Sequence, residues 1–200
     1  MYTLRIWNSK ATTNQLEELA GKLKQGEIAI IPTDSTYAIV GDALNTKAID
    51  RICRIKGINP EKQHLAMICS DISMASDYCR IENLGFRFLK DYTPGAYTFL
   101  FKALNSLPKA FKGRKVAGIR IPDNTFARDL AKALGNPIIT TSLPADNLDE
   151  LTNPDLIAEL WGDKVDFMVS DGDGSSTLTS IIDCTDSEPI TIREAGQTPF

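Results

Sequence analysis

Ile28-Ala29-Ile30-Ile31-Pro32-Thr33-Asp34-Ser35-Thr36-Tyr37 is the stretch that decides the fold. Its first four residues are apolar at every position, three of them β-branched, and a proline stops the run. A continuous short run of this kind is the pattern of a strand buried on both faces. Such a strand needs helices above and below it. Upstream, Thr12 to Lys24 predicts a helix: Thr12 and Gln15 have capping-box spacing, Leu16, Leu19 and Leu23 form one stripe, and Gly26 follows the end. Downstream, Thr46 to about Lys56 predicts another, with Ile49, Ile52 and Ile55 facing inward.

The same alternation continues outward. Leu65 to Cys69 predicts a buried strand, Asn83 to Lys90 a weak helix, and Tyr97 to Lys102 and Val116 to Ile121 two strands in succession. Asn124 caps a helix carrying Phe126, Leu130 and Leu134 and ended by Gly135. Pro137 to Thr140 is a strand, and Asn153-Pro154 opens a helix to Trp161. Val165 to Val169, Ser180 to Cys184 and Ile190 to Arg193 are the closing strands, and the polar segment Ala145 to Asn153 is a loop. The expected architecture is α/β: one domain over residues 1–200, with a twisted mixed sheet flanked by helices.

Composition suits that expectation. Hydrophobic residues make up 42% and charged residues 24%, enough to bury a core and too apolar for a disordered chain. The first ten residues lack an apolar signal-peptide core, and no apolar run approaches the ~20 residues of a membrane span, so a cytoplasmic protein is expected. Cys53, Cys69, Cys79 and Cys184 are widely spaced, which predicts reduced thiols and neither a disulfide framework nor a thiolate zinc site. The net charge of −4 is uneven: Ala145 to Pro189 holds twelve acids against one base, Lys164. Elsewhere bases exceed acids, with clusters at Arg51, Arg54, Lys56, Lys62 and at Lys109, Lys112, Arg114, Lys115 that suit a polyanion as well as a solvated face.

Familiar signatures fail. There is no P-loop, and Gly172-x-Gly174 lacks the third glycine of a dinucleotide fingerprint. Asp171 and Asp173 begin like a calcium loop, but Ser176 and Ile182 stand where glycine and glutamate belong. His64 is the single histidine, which removes two-histidine acid–base chemistry, and Thr141-Ser142-Leu143 is no nucleophile elbow. What remains is a set of polar turns at strand ends: Pro32 to Tyr37, Asp91 to Gly95, Arg120-Ile121-Pro122, Thr140-Thr141-Ser142, and Arg193 at the last strand. Hydroxyls and amides donate to phosphate oxygens and Arg or Lys supplies countercharge, so these turns predict a ligand cleft outside the carboxyl ends of the strands.

In order, these segments resemble the threonylcarbamoyl-AMP synthase family, the YrdC/YciO-like proteins, from about Gln15 to Gly196. Pro32 to Ala38 is similar to the family's Pro-Thr-Asp-Thr-x-Tyr-Gly. Pro94, Gly95 and Thr98 match its Pro-Gly-x-x-Thr, Arg120 and Pro122 its Arg-x-Pro, and Thr140-Thr141-Ser142 its Ser-Thr-Ser turn. Thr179, Ser180 and Asp183 match a Ser/Thr pair before a strand, and Arg193 and Gly196 its terminal Arg and Gly.

The resemblance implies a positively charged concave face and the joining of L-threonine, bicarbonate and ATP into threonylcarbamoyl-AMP, for tRNA threonylcarbamoyladenosine modification. On it, Lys56 and Arg120 are the expected catalytic residues. Thr33, Ser142, Ser180 and Arg193 are expected to bind nucleotide, and Ser35, Tyr37 and Thr98 to bind substrate. Magnesium would come with ATP, and no protein-held metal is expected. Two positions depart from the synthase pattern: Ile58 replaces the arginine of Lys-x-Arg, and Pro144 the asparagine of Ser-x-Asn. Arg51 to Lys56 and Thr-Ser-Leu are nearer the YciO branch. The alternative implied is a non-synthase paralogue that binds tRNA or double-stranded RNA.

Overall fold

The computed structural model describes residues 1–59, 65–104, 107, 115–186 and 188–195. His64, Lys62, Lys109, Lys112, Arg114 and Gly196, all singled out above, lie outside the described residues. In chain order the elements are β1 (Tyr2–Arg5), α1 (Thr13–Lys24), β2 (Ala29–Ile31), β3 (Ala38–Asp42), α2 (Thr46–Lys56), β4 (Ala66–Ile68), α3 (Ile72–Ser76), β5 (Cys79–Arg80) and α4 (Asn83–Tyr92). They continue with β6 (Tyr97–Ala103), β7 (Val116–Arg120), α5 (Thr125–Leu134), β8 (Ile138–Ser142), α6 (Asp149–Thr152), α7 (Pro154–Trp161), β9 (Phe167–Ser170), β10 (Ser180–Asp183) and β11 (Ile190–Arg193).

The helix signals act as their chemistry dictates. Thr12 and Gln15 form a reciprocal capping box on α1. Gly57 ends α2 in the left-handed region at φ 65°, where a side chain would be strained, and Asn124 and Gly135 bracket α5. Asn153 caps α7 with Pro154 in its first turn.

The sheet runs β1-β9-β2-β3-β8-β4-β7-β6-β10-β11, with β5 pairing a second stretch of β6. Parallel pairs (β4 with β7, β6 with β10) mix with antiparallel ones (β3 with β8, β6 with β7), as expected. One face carries Ile30, Ile39, Met67, Phe99, Ile119 and Ile139 under Ile49 and Ile52 of α2, Leu89 of α4 and Trp161 of α7. The other carries Ile31, Val40, Ile68, Ile138 and Val169 under Leu19 and Leu23 of α1 and Phe126, Leu130 and Leu134 of α5. Among the described residues, that second layer takes strand residues from β9, β2, β3, β8 and β4, with Leu4 of β1 packed at its edge. Among the described residues, no helix of that layer reaches the same face of β7, β6, β10 and β11.

Three expectations need correction. Ala145 to Asn153 is not all loop, since Asp149–Thr152 turns helically ahead of α7. β3 was not anticipated, because its apolar run is only Ala38-Ile39-Val40 and follows the polar turn directly. Pairing with β2 on one side and β8 on the other makes it a central strand. β1 has no clean alternation and is organised by its ladder to β9. All four cysteines are unbridged, and burial pushes the Cys79 and Cys184 thiols up to about 12. Among the described residues, no helix is long and apolar enough to cross a membrane.

Candidate functional site

A hollow of about 360 Å³ lies on the uncovered part of the sheet, beside the α1–α5 layer. Its floor is built from small side chains in register. Ala66 pairs with Thr140 of β8 on one side and Gly118 of β7 on the other, Gly118 pairs with Leu100 of β6, and Thr98 with Ile181 of β10. A Cβ added to Gly118 would meet the Thr98 methyl at 3.3 Å and the Ala66 Cα at 3.5 Å, so glycine keeps the floor low there. The walls are Ser35 and Thr36, Thr141 and Ser142, Leu178 and Thr179, and Ile192 and Arg193. The volume falls in the range of small-ligand sites.

This position corrects the sequence reading, which put the cleft at the strand exits. Ser35 and Ser142 do sit at exits, but Ala66, Gly118, Thr98 and Ile181 present the face of the sheet itself. The physical reason is that α1 and α5 cover only the neighbouring strands: a sheet face with small residues beside that layer is a concavity without any need for a topological switch point.

Arg120 anchors one wall. Its Nη2 donates to Asp34 Oδ1 at 2.6 Å and to Ser35 Oγ at 3.2 Å, and both partners of the ion pair are only 7% exposed in their side chains. Asp34 Oδ2 also accepts from the Asp123 N–H at 2.8 Å. Burial pushes the guanidinium's pKa down, and the Asp34 carboxylate opposes that shift. Arg120 Nε is buried without a partner, as is Thr140 Oγ1 on the floor. Two orphaned polar groups at one hollow are what a polar ligand would satisfy.

The turn after β2 is tied internally. Thr33 Oγ1 donates to the Thr36 carbonyl at 2.9 Å, so its 2.9 Å bond with Ser35 Oγ runs from Ser35. Thr33 therefore sits behind the wall that Ser35 forms and does not line the hollow. Tyr37 is fully buried in the opposite core. Its hydroxyl donates to the Gly172 carbonyl at 2.6 Å and accepts from the Asp171 N–H at 3.1 Å, while desolvation raises its pKa. It holds the 171–174 loop and reaches no ligand space. Ser180 is likewise buried, with its hydroxyl exchanging bonds with the Ala195 N–H and carbonyl.

The remaining predicted residues converge. Thr98 and Ser142 line the hollow. Lys56 Nζ reaches the Ser142 carbonyl at 2.9 Å and its Oγ at 3.2 Å. Arg193 lines the far wall, its Nε and Nη2 donating to the Thr179 carbonyl at 3.0 and 2.7 Å. Ser142, Arg120 and Arg193 thus line one concavity, with Lys56 bonded to Ser142 at its rim and Thr33 behind Ser35.

Sequence reading placed Thr140 in a cleft turn but missed Ala66 and Gly118 as the floor beside it, and Asp34 as the partner of Arg120. Only pairing register could have found the floor. Ile58, at the arginine position of the synthase pattern, packs half-buried against the core that contains Cys53, and its N–H donates to the Cys53 carbonyl at 3.0 Å. With the bond from the Gly57 N–H to the Arg54 carbonyl, this is a Schellman cap whose hydrophobic contact occupies position 58.

Comparison with known proteins agrees with this architecture. The chain is 35% identical over 185 residues to the uncharacterized protein YciO of Escherichia coli K12, covering 90% of this chain and 87% of that one. The E. coli YciO crystal structure superposes with a TM-score of 0.89 at 30% identity, covering 99% and 98% of the two chains. A putative threonylcarbamoyl-AMP synthase of Methanocaldococcus jannaschii is 29% identical over 188 residues, covering 94% of this chain and 88% of its own. Sua5 of P. abyssi, crystallised with L-threonine, shares the fold with a TM-score of 0.85 at 20% identity, this chain matching over 98% of its length and spanning 57% of Sua5. The Sua5/YciO/YrdC family model, described as "Telomere recombination", matches residues 21–195, and with it the relatives above establish that this chain belongs to the Sua5/YciO/YrdC family.

Proposed function

We propose that the hollow binds ATP together with L-threonine and bicarbonate and carries a threonylcarbamoyl-AMP synthase-like activity in tRNA threonylcarbamoyladenosine modification. The observation that carries this reading is the chemistry of the lining. Among the described residues, seven hydroxyl residues, Arg120 and Arg193 face the space, and no carboxylate does. Leu65, Leu100, Leu178, Ile181 and Ile192 supply an apolar wall beside them. A lining of donors and cations with one apolar side suits a ligand that is anionic at one end and flat and apolar at the other.

In this reading Arg193, Ser142 and the Thr179 region hold the nucleotide, Lys56 offsets triphosphate charge, and Arg120, Ser35 and Thr98 face the amino-acid substrate. Thr33, Ser180 and Tyr37 act from behind the wall by holding its backbone. Catalysis then rests on positioning and countercharge, with magnesium arriving on ATP. A tRNA-directed reaction implies a cytoplasmic protein.

The test is pyrophosphate release from ATP with L-threonine and bicarbonate, compared with Lys56→Ala and Arg193→Ala. Turnover in the parent that falls in both variants supports the reading. No pyrophosphate above background overturns it.

The seating of Ile58 in the helix cap favours a second reading, a module that binds tRNA or double-stranded RNA without making the adenylate. A guanidinium beside Lys56 is the group that the cap's hydrophobic contact replaces. RNA binding that weakens steeply with salt, in the absence of pyrophosphate release, would support this reading.

A further inference from the structure

Lys56 and Ser142, which the reading above gives to the nucleotide, meet at the rim of the hollow within hydrogen-bonding distance of each other. Lys56 ends α2 and Ser142 ends β8, so a helix packed on one sheet face and a strand of the sheet itself end at one point. The ammonium nitrogen lies 2.9 Å from the Ser142 carbonyl and 3.2 Å from its hydroxyl. Among the described residues no ion pair includes Lys56, so its neighbours here are neutral oxygens. As an ammonium Lys56 donates to both oxygens; once neutral, the same amine keeps its bond to the carbonyl and accepts from the serine hydroxyl. Partial burial pulls the lysine pKa below its ordinary value, the direction a base requires. Ser142 is exposed and lines the hollow, and Thr140, two residues back on the same face of β8, also lines it and has a buried hydroxyl without a hydrogen-bond partner.

We propose that Ser142 and Lys56 form a nucleophile–base dyad that cleaves an activated acyl or carbamoyl group held in the hollow, with Thr140 donating to the carbonyl oxygen. Ser142 Oγ bonds to the carbonyl carbon as its proton passes to Lys56 Nζ. The bond from that carbon to the leaving oxygen breaks, and the leaving oxygen takes the proton from Lys56. A water then attacks the acyl-serine, giving one proton to Lys56, which returns it to Ser142 Oγ. One ester or mixed anhydride and one water yield one acid and the released alcohol or acid. The activity consumes an activated acyl group where the reading above makes one, and it rests on that reading only in sharing its hollow.

The experiment treats the full chain with a fluorophosphonate probe and locates the adduct by peptide mass spectrometry, alongside p-nitrophenyl acetate hydrolysis. The variants are Ser142→Ala and Lys56→Arg, the second keeping positive charge but holding no base at neutral pH. The expected result is an adduct on Ser142 that vanishes in Ser142→Ala and forms about 100-fold more slowly in Lys56→Arg. No adduct on Ser142, or equal labelling rates in the parent and Lys56→Arg, overturns the dyad and leaves Lys56 a clamp on the strand end. Circular dichroism checks that each variant folds, and Lys56→Met replaces Lys56→Arg if the latter does not. ATP titration of the same proteins separates the two ideas. An unlabelled Ser142 with intact ATP binding removes only the dyad, and a labelled Ser142 without ATP binding removes only the nucleotide reading.

Discussion

Replacing Asp34 by asparagine should destabilise this protein more than any other single polar change at the hollow. In the folded state Asp34 is the one carboxylate bonded to the buried Arg120, and its second oxygen receives the Asp123 N–H. Asparagine keeps the shape and an acceptor oxygen but removes the countercharge, so a guanidinium remains desolvated with no anion beside it. Breaking a buried pair from one side costs about 3–5 kcal/mol. For a domain of this length each kcal/mol is worth roughly 2–4 °C, so Tm should fall by roughly 6–20 °C. Thermal unfolding by circular dichroism reads this directly, and added pyrophosphate should restore part of the loss by supplying the missing anion. The double variant Asp34→Asn/Arg120→Met removes both charges and should melt above Asp34→Asn alone. A fall of less than about 2 °C in Asp34→Asn would refute the reasoning, because Arg120 would then have to be solvated.

Other outcomes follow from the same geometry. Tyr37→Phe leaves the Asp171 N–H and the Gly172 carbonyl without the phenol, which should cost about 1–3 kcal/mol and speed amide exchange at 171–174 in hydrogen-exchange mass spectrometry. Ala66→Leu raises the floor of the hollow and should weaken ATP binding about tenfold or more by calorimetry while leaving the far-UV spectrum unchanged. Burial pushes the Asp166 carboxyl up, but the Arg51 guanidinium and the Ile28 N–H more than reverse it, leaving its pKa below the ordinary value. Its contribution is therefore full above the unfolded carboxylate's pKa of about 3.9 and lost as pH falls through the lower folded value. The Tm gap between the parent and Asp166→Asn should accordingly be wide at pH 7 and close toward pH 3.

The local signals of this chain were legible in advance because each is decided within a few residues. The Thr12–Gln15 capping box, the left-handed Gly57 and Gly135, and the Asn153-Pro154 start all formed as their side chains require. So did the doubly buried run Ala29-Ile30-Ile31, whose composition leaves it no other stable environment. The polar turns were visible as well, and the resemblance they carry named Lys56, Arg120, Ser142 and Arg193 before any of them had a position.

What those turns surround was decided only by tertiary structure. The floor sets Thr140, from one of those turns, beside Ala66 and Gly118, which have no distinction in sequence; strand register across β8, β4 and β7 brings them together. The concavity exists because α1 and α5 cover only part of one face, and helix coverage is a property of the whole sheet. Tyr37 packs into the opposite core with its hydroxyl bonded to the Asp171 and Gly172 backbone, while Ser35, only two residues before it, lines the hollow. A sequence states which side chain follows which, but strands that meet in space need not be neighbours in the chain, and here the site is made where they meet.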